Sequence, residues 1–435
     1  MSSPRPGRRM LALLLLTLLG ASLVQRATRR EHGPIYRNRL FASLVWHGES
    51  PYPPGKPIHA PYPPSYGFLM GPMLLPPIQV VRIAWAILQL LCLFFLFRLA
   101  LRWWESLDTS RGPPTLALLL SLLLVSRYLL RDMSGGGGNL VYGTLVALAC
   151  IRPGEAPGED KRPWLGIGLG LVLGLKPTPL LFLPWLALRG RYRTLATSLG
   201  VAFACHLAPI LTMGPELWAS SYAHWAEGVW LYGSQVDVFA TPAHDFPPFT
   251  WMNQSLRCAF ARYFTTVPPD LAHKIPDSLF FQGLGLSALT AWWILRLFSL
   301  ALLAWAFTLL VRLRKNHSPW VEWGAPCLLI PLTLLLSPIA WKAHQVQLLP
   351  LFFFLLAGPA RSPKGRLLRA SLVLYFVFCT LPGGDLIGKP LKEWLQSLYV
   401  VTLGALWLFA AQAIILGRHG MLGSANQLTR NTSAE

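Results

Sequence analysis

Residues 164–193 read WLGIGLGLVLGLKPTPLLFLPWLALRGRYR, an apolar run of membrane length interrupted near its middle by Lys176, Pro177 and Pro179. A spanning helix needs roughly 20 consecutive apolar residues, and a proline inside one removes a backbone donor and clashes with the preceding turn. Basic turns flank the run on both sides: RPGEAPGEDKRP at 152–163 precedes it, and Arg189, Arg191 and Arg193 close it. Cytoplasmic connections of membrane proteins collect Lys and Arg, so both ends belong on one face. One continuous helix does not satisfy that parity. Two half-helices meeting at Lys176 do, provided the freed backbone groups and the ammonium face protein or a polar cavity.

The rest of the chain agrees. Of 435 residues 53% are hydrophobic and 13% charged, about half the charged share of soluble domains, and too little to cover two soluble surfaces. Lys and Arg outnumber Asp and Glu by 38 to 18, a net +20. That surplus lies in short turns, with Arg5, Arg8 and Arg9 before the first apolar run and later groups at Arg312, Arg314 and Lys315 and at Arg361, Lys364, Arg366 and Arg369. It therefore reads as a positive-inside label and not as a nucleic-acid surface. Six cysteines without a CxxC pair suggest neither a disulfide framework nor a zinc site. The first run is followed by QRATRREHG and lacks a small-residue cleavage site, so it reads as a retained helix. Outward passages are expected at 8–26, 115–130, 195–213, 320–338 and 366–382, and inward ones at 78–100, 139–152, 284–311, 345–360 and 395–416. Residues 67–77 are too short to span. The expectation is an all-α, multi-spanning integral membrane protein of ten full spans plus a broken helix pair. One domain covers 1–417, with outer loops at 27–65 and 214–282, and a polar tail follows at 418–435.

The loop at 214–282 carries Glu216, Glu227, Asp237, Asp245, Asp270 and Asp277 against Arg257, Arg262 and Lys274. Two sizeable outer loops rich in Pro, Trp and Tyr suit a lid and cleft over membrane helices, where a lipid-linked substrate meets a second molecule.

Particular residues on that side carry chemistry. Glu31, just after the first helix, stands at the depth where a carboxylate can take a proton from an acceptor hydroxyl; Glu49 is the alternative base. Tyr36, Tyr52 and Tyr62 with the adjoining prolines suit sugar stacking or interfacial anchoring. In SRYLLRDMSGGGGNLVYG, Gly135 to Gly138 leave amides open to an anion, and Arg127 and Arg131 offer charged donors to the same phosphate. Asp132 can pair with either arginine or hold a metal, and Asn139 brings a buried amide that needs partners. His224 and Trp225 can meet an acceptor, whereas Asn253, Gln254, Ser255 and Arg262 fall on an amphipathic segment. SPIAWKAHQVQLLP sets Ser337, Trp341, Lys342 and His344 at an outer helix junction, where a cation and an imidazole suit a lipid phosphate.

In this order the motifs resemble glycosyltransferase family 87, the polyprenol-phosphate-mannose-dependent mannosyltransferases within the multi-spanning GT-C superfamily. The similarity runs from Tyr36 to Leu349 and rests on five pieces. These are G-x-x-P-Y followed by Y-P-P, a glycine segment ending in Asn139, K-x-x-P at Lys176, N-Q-S-L with Arg257 following, and S-P-x-x-W-x-x-H ending at His344. The resemblance implies inverting transfer of mannose or a related hexose from a polyprenyl-phosphate-sugar donor to a glycolipid or glycan acceptor. It implies catalysis on the extracytoplasmic side of a bacterial-type cytoplasmic (inner) membrane, with no nucleotide sugar in the site. It also implies an acidic base in the first outer loop shortly before a tyrosine, a position that Glu31 fills ahead of Tyr36 where the family has aspartate at slightly different spacing. Gly137 stands where the family has glutamine, and Ala343 replaces one of two paired histidines. The phosphate would be held among Arg127, Arg131, Lys176, Arg262, Lys342 and His344. Sugar and acceptor would meet Tyr36, Tyr62, Asp132, Asn139, His224, Asn253, Gln254 and Trp341.

Phosphate is already a competent leaving group, so one base suffices. No cofactor is required; a divalent cation, which some of the superfamily use, stays open as an aid, although no carboxylate cluster demands it. Two other classes stay open on the residues alone: a transporter with a midplane solute site at Lys176, and a non-catalytic partner in envelope assembly.

Overall fold

The computed structural model describes residues 33–52, 62–107, 114–155, 158–240, 249–272, 275–316, 318–359 and 365–432, with 17, 20 and 21. Among these residues the backbone is helical, and its one strand-like contact is an isolated bridge between Asn253 and Trp341. The expected first span, 8–26, lies outside them apart from those three positions.

Two short helices come first, α1 (Pro34–Trp46) and α2 (Pro64–Met70), so the expected first outer loop is partly helical. Then follow α3 (Ile78–Glu105), α4 (Thr115–Gly135) and α5 (Asn139–Cys150). The 164–193 run forms α6 (Gly166–Leu175), a break at Lys176 in extended backbone, a 3-10 turn at Thr178–Phe182, and α7 (Leu183–Leu188). Next are α8 (Tyr192–Leu207), α9 (Pro215–Ser234) and α10 (Leu256–Phe264). The chain continues with α11 (Ala288–Leu313), α12 (Pro319–Leu336), a 3-10 segment at Lys342–Leu348 and α13 (Leu349–Ala357). It ends with α14 (Arg366–Tyr375), α15 (Lys389–Ser397) and α16 (Val400–Thr432), the last running on through the polar tail. Among the described residues five stretches are long and apolar enough to cross a bilayer: Ile78–Glu105, Tyr192–Met213, Ala288–Leu313, Pro319–Leu336 and Val400–Arg418. Helix α4 is 21 residues long and closes on Arg127, Arg131 and Asp132. The protein is a membrane protein.

The broken run folds back on itself. Gly166, Gly170 and Gly174 form a stripe on one face of α6 that lets it run beside α8 in the same direction. A Cβ on Gly170 would sit 2.6 Å from the Ser198 carbonyl oxygen, and one on Gly174 would sit 2.6 Å from the Cys205 Cβ. Small residues are what allow such approach where no hydrophobic drive separates helix from lipid. The Gly158 amide then bonds to the Arg189 carbonyl at 2.8 Å, so α7 returns to the end where α6 began. Lys176 stands at the opposite end of the bundle.

That starting end is closed by buried ion pairs. Arg189 and Arg191 both donate to Glu322 at the head of α12, Arg191 at 2.8 Å, and neither arginine side chain is exposed. Arg152 and Arg162 share Glu155 at 3.3 and 2.6 Å. Arg189 and Arg191, read from sequence as an address label in a short turn, are therefore also interior struts. Arg189 reaches the Arg314 and Asn316 carbonyls, both at 2.9 Å, and Arg191 reaches that of Cys150 at 3.0 Å, which ties the ends of α5, α7 and α11 to the starts of α8 and α12. Charges this deep persist only when paired, and the carboxylate and carbonyl partners here reach the terminal guanidinium nitrogens while the Nε atoms of Arg189 and Arg191 have no partner among the described residues. Beside them Trp103 packs on Trp320, Trp323, Phe353 and Phe354, and α12 is buried along most of its length.

Candidate active site

At the other end lies a cavity of about 580 Å³. Its walls come from distant parts of the chain: Arg37 and Asn38 of α1, Tyr62 and Tyr66, Arg131 and Asp132 of α4, Asn139 and Tyr142 of α5, and the segment Ile339–His344, with Met252 and Gln396 at the rim.

The turn from α4 to α5 is built by glycine chemistry. Gly136 caps α4 in the left-handed region, at φ 71°, a conformation that costs glycine nothing. Gly137 lies against the Asp132 carboxylate where a Cβ would collide with it. The Gly137 carbonyl accepts from Trp85 at 2.9 Å and from Gln89 at 2.6 Å, which pins the turn to α3. Asp132, 1% exposed, accepts from the Asn139 side chain at 2.8 Å, the Leu140 amide at 3.0 Å, Gln89 at 3.3 Å and the Asn139 amide at 3.4 Å. It thus caps the otherwise unpaired N-terminal amides of α5 with charge of the favoured sign. It pairs with neither arginine, and both oxygens are committed to N–H donors.

The tyrosine wall depends on α2. Tyr62 and Tyr66 stack with centroids 4.1 Å apart. Between them Ser65 donates to the Gly174 carbonyl at 2.6 Å and sits 3.1 Å from His206, which meets the Tyr222 hydroxyl at 2.9 Å. Burial pushes the Tyr62 phenol up, with Arg37 pulling the other way and Asp132 adding to the rise. Tyr62 therefore stays a neutral hydroxyl facing the cavity.

The third wall is clamped by the N-Q-S-L motif. Asn253 donates to the Pro338 carbonyl at 3.1 Å and accepts from the Ala340 amide at 2.9 Å. Gln254 bonds through its amide to the Ala340 carbonyl at 2.7 Å, and through its side chain to the Gln396 carbonyl at 2.9 Å. Trp341, Lys342 and His344 are thereby held on the cavity wall. Burial, and then repulsion from Arg127, Arg131 and Lys392, pulls the Lys342 ammonium down to about 6, so an anion in the cavity is what restores its full charge. Lys176 meets His344 at 3.4 Å, Nζ to Nε2.

Of the residues singled out from sequence, Tyr62, Arg131, Asp132, Asn139, Trp341, Lys342 and His344 line the cavity. Arg127 lies one turn before Arg131 on α4 and behind that wall, and Lys176 lies behind His344. Asn253 and Gln254 are clamps and not lining groups. His224 stacks on Tyr52 at 5.7 Å, and the Tyr52 hydroxyl donates to the Tyr62 carbonyl, which makes His224 a prop behind the tyrosine wall. Three expectations are displaced. Arg262 lies in a separate aromatic niche, over Phe281 at 4.4 Å and bonded to the Phe281 carbonyl at 2.7 Å. Tyr36 points outward from α1, 45% exposed. Glu49 is exposed beyond the C-terminus of α1, whereas the cavity lies at its N-terminus, about 18 Å away along a helix of this length. Glu31 lies outside the described residues.

Sequence reading missed Arg37, Asn38, Tyr66, Tyr142, Met252 and Gln396. Tyr142, one turn after Asn139, was open to a helical-face argument; Arg37 and Asn38 follow Tyr36 on α1 and, unlike it, line the cavity. Met252 and Gln396 arrive only through tertiary packing.

An anion can meet Arg131 and Lys342 in this cavity, a sugar ring can lie on the tyrosines, and Asp132 is the carboxylate on the wall among the described residues. Residues 61–276 match the model of glycosyltransferase family 87. The chain is 28% identical over 376 residues to a polyprenol-phosphate-mannose-dependent alpha-(1-2)-phosphatidylinositol pentamannoside mannosyltransferase of Mycobacterium tuberculosis, covering 83% of this chain and 76% of that protein. To its namesake in Mycolicibacterium smegmatis it is 27% identical over 314 residues, 72% of this chain and 64% of that one. A polyprenol-phosphate-mannose-dependent alpha-(1-2)-phosphatidylinositol mannoside mannosyltransferase of Mycobacterium tuberculosis is 28% identical over 246 residues, 51% of this chain and 55% of that one. Across residues 61–276, about half of its length, the chain is thus similar to glycosyltransferase family 87.

Proposed function

We propose that this protein transfers a mannosyl group from a polyprenyl-phosphate donor to a mannosylated phosphatidylinositol or a related glycolipid, with inversion at the anomeric carbon. The observation that carries this reading is the convergence of Arg131, Lys342 and His344 on one cavity that the Tyr62–Tyr66 stack also lines. In the reaction the acceptor hydroxyl oxygen bonds to the anomeric carbon as the carbon–oxygen bond to phosphate breaks. The bonding pair leaves with the phosphate, where Arg131 and Lys342 meet the growing negative charge and Arg127 and Lys392 add longer-range field. Preorganised cations aimed at charge that develops in the transition state lower its energy most.

The acceptor proton goes to Glu31 in this proposal. Glu31 stands three residues before Pro34, a cavity-lining residue, and three peptide units reach at most about 11 Å. Asp132 is unsuited to the role, since its oxygens already serve four N–H groups. We propose that the reaction needs no metal, with Arg131 and Lys342 supplying the countercharge. The cavity would face the extracytoplasmic side of a bacterial cytoplasmic membrane, because the arginine-rich turns close the opposite end. Purified protein in liposomes, given radiolabelled polyprenyl-phosphate-mannose and a phosphatidylinositol mannoside, tests the reading. Label in the glycolipid supports it, and use of GDP-mannose in place of the lipid donor would sink it.

A further inference from the structure

We infer that Lys176 serves the reaction through His344, as a positioning residue that fixes the imidazole tautomer, and does not itself hold the donor phosphate. The inference rests on the transferase reading above and reassigns one of its cations. His344 lines the 580 Å³ cavity, whereas Lys176 does not. Lys176 lines a separate void of about 20 Å³ with Tyr142, Thr333 and Gln347. The imidazole thus stands between the ammonium and the space where a substrate binds.

The chemistry of the pair fixes the proton. An ammonium has donors and no acceptor, and a neutral imidazole has one of each. With Nζ 3.4 Å from Nε2, Nε2 accepts, so the ring hydrogen sits on Nδ1. Nδ1 is the nitrogen left for a ligand. A second proton on the ring would remove the acceptor and bring two cations together at this distance. Burial works against the Lys176 ammonium, and attraction to Asp132 opposes that loss of charge. The break in the α6–α7 hairpin delivers Lys176 to this point: a continuous helix would carry its side chain past the cavity end. His344 then presents a neutral Nδ1–H beside Lys342, two residues earlier in the same 3-10 segment, suited to a non-bridging oxygen of the departing phosphate. A fixed tautomer orients that hydrogen bond before the charge develops.

The test reads the tautomer directly. In protein labelled with 15N-histidine and held in bilayers, the His344 signals are identified by their loss in His344→Gln. The expected result is a protonated Nδ1 and an unprotonated Nε2 in the unmodified protein, with Nε2–H appearing in Lys176→Met and Nδ1–H restored in Lys176→Arg. In parallel, Lys176→Met should lower kcat about tenfold, the worth of one oriented hydrogen bond, with donor KM changed less than about twofold. In a His344→Gln background the same substitution should add almost nothing, as expected for two residues acting as one unit. An Nε2–H tautomer in the unmodified protein would overturn the inference, as would an unchanged tautomer in Lys176→Met or a rise in donor KM at constant kcat. Should Lys176→Met fail to fold, the unmodified tautomer and the arginine variant decide the matter. Absence of transfer from any lipid donor by the unmodified protein would refute the transferase reading, and the tautomer would then judge the Lys176–His344 pair alone.

Discussion

Replacing Asp132 with asparagine separates a base from a scaffold. In the structure Oδ1 accepts from the Asn139 side chain and amide, at 2.8 and 3.4 Å, and Oδ2 from the Leu140 amide and Gln89, at 3.0 and 3.3 Å. Asparagine is isosteric, but whichever way it turns, its amino group faces two N–H donors. Two charge-assisted hydrogen bonds are lost on that side, each worth about 1.5–3 kcal/mol. Because the Gln89 contact is long, the loss should centre on about 3 kcal/mol. A domain stable by about 5–15 kcal/mol survives this with a clear fall in unfolding temperature. The glycine turn keeps its anchors to Trp85 and Gln89, so kcat should stay within about tenfold, little more than 1.4 kcal/mol of barrier. Had Asp132 taken the acceptor proton, kcat would fall by roughly 10²–10⁴. Thermal unfolding in nanodiscs together with initial rates measures both quantities. A hundredfold loss of rate at unchanged unfolding temperature would refute the scaffold assignment.

Three other perturbations follow from the same structure. Glu322→Gln leaves Arg189 and Arg191 buried without their countercharge and should cost about 3–5 kcal/mol, read as loss of folded protein on size-exclusion chromatography in detergent; an unchanged profile and melting temperature would contradict the buried network. Gly170→Val forces side-chain atoms against the Ser198 carbonyl and should destabilise the α6–α8 pair by about 1–3 kcal/mol, whereas Gly200→Ala, with open space around its Cβ position, should leave the melting temperature unchanged; equal effects would remove the close-packing argument. Chelation with EDTA should leave transfer within about twofold if Arg131 and Lys342 supply the countercharge unaided, and a loss restored by added divalent cation would show that they do not.

What the sequence disclosed, and what it withheld, divides along a physical line. Local chemistry was readable: the break at Lys176 follows from two prolines, and the turn at Gly136 from residues that tolerate left-handed backbone. The end of the bundle that carries polar chemistry followed from the arrangement of charge. Partnership was not readable. Arg189 and Arg191 looked like solvated turn residues because Glu322 lies more than a hundred positions away. Asn253 and Gln254 looked like ligands because a clamp and a ligand use the same amide. Asp132 looked like a partner for Arg127 or Arg131, or a metal ligand, because its donors Asn139, Leu140 and Gln89 converge only when α3, α4 and α5 pack. Helix phase misled at Tyr36, whose neighbours Arg37 and Asn38 line the cavity in its place.

The central claim is that this cavity moves a sugar between two lipids. Purified protein in liposomes should transfer radiolabelled mannose from polyprenyl phosphate to the phosphatidylinositol mannoside, and should lose that transfer in Arg131→Met and Lys342→Met. The account predicts label in the glycolipid with matching consumption of the lipid donor and none from GDP-mannose. Transfer that persists undiminished in both variants, or that draws on GDP-mannose alone, would contradict it.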